Sequence, residues 1–83
     1  MKTFYIVQSF SCQKVGKKTE LRADTPIQCD TAEDATNRAE RLSSKRDGVI
    51  AASQDYDEKS DEYGKFTVLA HYGVLPDGIL EQD

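Results

Sequence analysis

The stretch QDYDEKSDEY, residues 54–63, holds five carboxylates and one lysine. Asp55, Asp57, Lys59 and Asp61 fall at alternate positions, the spacing at which a calcium loop presents its ligands. Such a loop also needs glycine at its sixth position and a bidentate glutamate at its twelfth. Counted from Asp55, those positions hold Ser60 and Phe66, and Lys59 brings a positive charge to a ligand position. No metal site is expected. The stretch reads as a solvated acidic turn between two strands, whose charge discourages edge-to-edge pairing.

His71 is the only histidine. A general base needs a substrate or nucleophile within hydrogen-bond reach and a group to orient it. The sequence offers Tyr5 as a neighbour on the sheet and no other supporting part. There is no nucleophile elbow, P-loop or glycine-rich phosphate motif, so the chain is not expected to be an enzyme or to carry a cofactor. Cys12 and Cys29 belong to no CxxC or Cys/His cluster, which argues against zinc. Their positions toward opposite ends of the second strand, and a reducing compartment, predict two free thiols.

A different chemistry is offered by Arg38, Arg41 and Lys45, which line one flank of a predicted helix, with Arg46 extending the row. They form a candidate ridge for an anion or a partner. Asp34 stands four residues before Arg38, so the row also reads as an ordinary solvated face with an i, i+4 pair.

Helix and strands must position these residues, and composition bounds what they can build. Eighty-three residues make one small domain, 1–83, with 37% hydrophobic residues and no tryptophan. So thin a core favours oligomerisation. A net charge of −4 argues against unspecific nucleic-acid binding, which rests on neutralising phosphates. No stretch is long and apolar enough to span a membrane, and the apolar run after Lys2 is too short for a secretory signal. A cytoplasmic location is the expectation.

Residues 3–12 alternate with period two: Phe4, Ile6, Phe10 and Cys12 share one face, Tyr5 and Val7 the other. A turn at Gly16 leads to a polar second strand, which Pro26 ends. Residues 30–48 read as a helix capped by Asp30 or Thr31, with Gly48 placed for a left-handed C-terminal cap. Its apolar stripe is Ala32, Ala35, Ala39 and Leu42. Two more strands follow, joined by the acidic turn. In the last, Phe66, Val68, Ala70, Tyr72 and Val74 share one face and Thr67, Leu69, His71 and Leu75 the other. LPDGIL, residues 75–80, has turn chemistry.

The fold expected is α+β, a two-layer ββαββ sandwich with one helix on a four-stranded, mainly antiparallel sheet. The spatial order 2-1-3-4 makes every neighbour antiparallel. It also puts a basic hairpin tip (Lys14, Lys17, Lys18) and an acidic one (Asp57 to Glu62) at opposite ends.

One helix covers one sheet face, so the other needs a partner. The expected uncovered face carries Tyr5, Val7, Val49, Leu69 and Leu75, with His71 beside Leu69. Partner binding is therefore expected at Tyr5, Val7, Leu69, His71 and Leu75, with tail residues Ile79 and Leu80 as an alternative cover. The function expected is a non-enzymatic binding, adaptor or inhibitor module, working as a homodimer through sheet face or edge. The alternative is a nucleic-acid-binding domain using the helix ridge and the basic tip.

Overall fold

A computed structural model describes residues 1–76 and Gly78. Its elements are β1 (Lys2–Val15), β2 (Lys18–Ala23), β3 (Ile27–Cys29), α1 (Ala32–Ser43), β4 (Gly48–Asp57) and β5 (Glu62–Gly73). The class is α+β: one helix against an antiparallel sheet in the order β2-β1-β4-β5. The expected ββαββ succession is incomplete. Beyond Pro26 the chain returns to β1 as β3, pairing Val7 with Ile27 and Tyr5 with Cys29. Thus β2 and β3 divide one edge of β1 between them, and β5 forms the opposite edge.

Local chemistry explains the element ends. Gly16, at φ 62°, supplies the positive angle of a two-residue hairpin turn between Val15 and Lys18. The Thr31 hydroxyl accepts from the Asp34 amide at 3.0 Å and caps α1. The helix is shorter than expected. It ends at Ser43, so Arg41 is the basic residue of its last turn and Lys45 and Arg46 follow it. Gly48 is not the cap; it opens β4 where the backbone of Val74 presses in. A Cβ there would stand 1.7 Å from the Val74 carbonyl oxygen.

The core lies between α1 and the sheet. Ala35 and Ala39 are fully buried against Val7, Val49, Ala51 and Cys29, with Tyr5, Ile27, Leu42, Leu69, Ala70 and Tyr72 packed around them. This reverses the expected faces. Tyr5, Val7, Val49 and Leu69 lie beneath the helix, not on the open side. An alanine stripe brings the helix axis close to the sheet, so Val7, Val49 and Ala51 are sealed beneath it while the longer Tyr5, Leu69 and Tyr72 pack around them and stay partly exposed.

Strict alternation also fails within β5. Ala51 pairs with Ala70 and Ala52 with Val68, leaving Leu69 as an extra residue in a β-bulge. Leu69 and Ala70 therefore both pack toward the helix, and Phe66 and Val68 turn to the opposite face. Leu75 lies past the strand, half-buried beside Gly48. Of the expected turn at 75–80, Asp77, Ile79 and Leu80 fall outside the described residues.

The two hairpins overreach the helix. Fourteen residues of β1 span roughly 43 Å at about 3.3 Å per residue, whereas twelve helical residues span about 18 Å. The molecule measures 48 × 24 × 20 Å. Lys2 pairs with Tyr56 at the acidic end and Val15 with Lys18 at the basic end, so the tips do lie at opposite ends.

Candidate functional site

The face without a helix is built by the even positions of β1 and β4. Register places Phe4 beside Gln54 and Phe66, Ile6 beside Ala52 and Val68, and Gln8 beside Ile50 and His71. Ile50 and Ala52 are buried in the central strand, while Phe4, Ile6, Phe66 and Val68 are half-buried and His71 is exposed. At its β3 side, Phe4, Ile6, Pro26 and Gln28 line an apolar groove of about 240 Å³. Toward the acidic tip the face continues in aromatic rings: Phe4 and Tyr56 have centroids 6.2 Å apart, Tyr56 and Tyr63 5.2 Å apart. Tyr63 is 73% exposed.

Of the five residues expected to meet a partner, only His71 stands on this open face. Tyr5, Val7 and Leu69 belong to the helix layer, for the packing reason given above. The residues that sequence reasoning missed are Phe4, Ile6, Phe66 and Val68. Both faces of β1 are apolar at its centre, so hydrophobicity alone carried no signal that could have found them.

The acidic tip spends its carboxylates locally. Asp55 accepts from the Thr3 hydroxyl at 3.0 Å, Asp57 from the Lys59 amide at 3.0 Å, and Asp61 from the Tyr56 hydroxyl. Asp61 adopts a left-handed φ of 53°. Glu58 pairs with Lys2 at 2.5 Å. The hydrogen bond and charge of Lys2 hold the Glu58 carboxyl below its ordinary value, and Glu58 raises Lys2 in return. The hydrogen bond to Asp61 raises the Tyr56 phenol.

The helix ridge is partly neutralised. Arg38 pairs with Asp34 at 3.5 Å and Arg46 with Asp24 at 3.6 Å. Asp24 is also the acceptor for the hydroxyls of Ser9, at 3.0 Å, and Ser11, at 3.1 Å. Its backbone carbonyl accepts from the Gln8 amide side chain at 2.5 Å. The Ser9, Ser11 and Arg46 contacts to Asp24 occupy the helix side of β1 beyond the helix end, where the odd positions change from Tyr5 and Val7 to Ser9 and Ser11. They tie the β2–β3 connection to the segment after α1. Arg38 and Arg41 flank a shallow groove of about 250 Å³ floored by Ile27 and Leu42.

Cys12 is exposed and Cys29 buried, and both are free. Burial, then the charge of Asp34, pushes the Cys29 thiol above its ordinary value, which makes it a poor nucleophile. Among the described residues no three metal-ligating side chains cluster, and no helix is long and apolar enough to cross a membrane. Comparisons with models of known protein families, with curated proteins and with solved structures gave no match.

Proposed function

We propose that this chain is a non-enzymatic binding module that works by protein–protein contact through its open sheet face. The observation that carries the reading is the half-buried apolar set Phe4, Ile6, Phe66 and Val68, continuous with the apolar groove at Pro26. Contiguous apolar surface of this kind marks an interaction site, and aromatic residues are the usual anchors of protein interfaces.

The alternative is nucleic-acid binding at the helix ridge. It is the weaker reading because two of its four cations, Arg38 and Arg46, already have carboxylate partners. The overall charge of −4 adds to that disadvantage.

A photo-reactive amino acid placed at position 68 or at position 41 tests the choice in the native cell. Protein adducts from position 68, including adducts to the chain itself, are expected, with few from position 41. Nucleic-acid adducts from position 41 and none from position 68 would overturn the proposal.

A further inference from the structure

We infer that the occupant of the open face is a second copy of this chain, packed face to face with its strands reversed. This inference rests on the open-face reading above and goes further by naming the partner and its orientation. It follows from how charge is arranged around the apolar patch.

The basic tip, residues 14–18, carries Lys14, Lys17 and Lys18 and no acid. The acidic tip, residues 57–62, carries four carboxylates against Lys59, a net three negative charges. Poles of opposite sign therefore stand at the two ends of a molecule 48 Å long, the acidic one reduced by the pairing of Lys2 with Glu58, with the apolar patch between them.

Two twofold axes would stack the open faces. An axis parallel to the strands sets lysine tip over lysine tip and acid over acid, a like-charge juxtaposition that suppresses association. An axis across the strands reverses the partner. Drawn level with Ile6, it sets Ile6 over its own copy. Each β1 residue above Ile6 then lies level with the one equally far below it. The level of Lys2 and Tyr56 falls on that of Phe10. The acidic tip beyond it falls level with Ser11 to Gln13, just short of Lys14 at the lysine-rich end. One operation then stacks the apolar centres and brings each acidic tip to the partner's basic end, displaced sideways by two strand spacings, about 10 Å, because the tips belong to different hairpins.

The size is that of a modest interface. Around Ile6, roughly ten residues each of β1, β4 and β5 and the three of β3, at about 4.8 Å between strands and about 3.3 Å per residue, give a projected area of about 520 Å² before side-chain relief is counted. A standard interface buries about 800 Å² per partner.

The test uses two reversed-charge variants of the full chain. One carries Lys14→Glu, Lys17→Glu and Lys18→Glu; the other carries Glu58→Lys, Asp61→Lys and Glu62→Lys. Circular dichroism checks that each keeps its fold. Sedimentation equilibrium should find the wild type dimeric, with an association that weakens as salt is added. Each variant alone should self-associate about tenfold more weakly or worse, since several exposed pairs turn repulsive. Mixing the two should restore a dimer containing one of each, because both tip contacts are then attractive again. Full-strength self-association of either variant, or no recovery on mixing, would overturn the reversed arrangement. A monomeric wild type would overturn self-association altogether. If position 68 still formed adducts with other proteins, open-face docking would survive that result.

Discussion

Val49→Ala and Val68→Ala remove the same atoms from opposite faces of the sheet, and their costs should differ severalfold. Val49, on β4, is 0% exposed beneath α1. Losing two methylene equivalents there forfeits about 1.6 kcal/mol of transfer free energy. The helix seats on Ala35 and Ala39, whose methyl side chains are too short to refill the space, so a cavity remains. That raises the expected loss to about 2–3 kcal/mol. For a domain of this length the melting temperature should fall by roughly 10–20 °C. Val68, half-buried on the open face, should cost about 1 kcal/mol or less as a monomer. The assay is urea and thermal unfolding followed by circular dichroism, at dilutions where stability no longer depends on concentration. Simple alternation along β5 would put Val68 beneath the helix and reverse the order of the two losses. Finding Val68→Ala the costlier variant would refute the assignment of faces and the bulge at Leu69.

Gly48→Ala should destabilise by about 1–3 kcal/mol in urea unfolding. Its Cβ would displace the Val74 carbonyl and break the Val74 amide bond to Asp47; unchanged stability would contradict that close approach. Alkylation of the native chain should be biphasic, fast at exposed Cys12 and slow at Cys29. Mass spectrometry of the denatured, unreduced chain should count two modified thiols, and an unmodifiable pair would mean a bridge. Replacing Glu58 by Gln should alter stability in a pH-dependent way. The Glu58 carboxyl is held below its ordinary 4.5, so its contribution is present above that pH and lost as pH falls through the folded value. The difference between variant and wild type should vanish in strong acid, and a constant difference would show that the Lys2 pairing is not its source.

The sequence revealed periodicity and punctuation well. Thr31, the alanine stripe, Gly16 and the acidic turn each carry a local chemical signal, and the placement of helix, hairpins and oppositely charged tips followed from them. Three features were hidden for physical reasons. The bulge at Leu69 is a pairing property of two strands, with no mark in the alternation of one. The strand β3 is three residues long and forms because Pro26 redirects the chain onto β1, not because IQC is strongly strand-forming. The choice of covered face was hidden because both faces of β1 are apolar at its centre. Hydrophobicity alone could not decide between Phe4 with Ile6 and Tyr5 with Val7. The Asp24 network escaped notice because Ser9, Ser11, Asp24 and Arg46 come from separate segments, and only the folded register brings them together.

The most direct measurement of the open-face claim is a dilution series followed by methyl and aromatic NMR of the full chain. As concentration rises, resonances of Phe4, Ile6, Phe66 and Val68 should shift together and saturate. Those of Val49 and Leu42, on the helix side, should stay in place. Concentration-dependent shifts confined to Ile27, Leu42 and the neighbouring helix residues, with Ile6 and Val68 unmoved, would contradict the account.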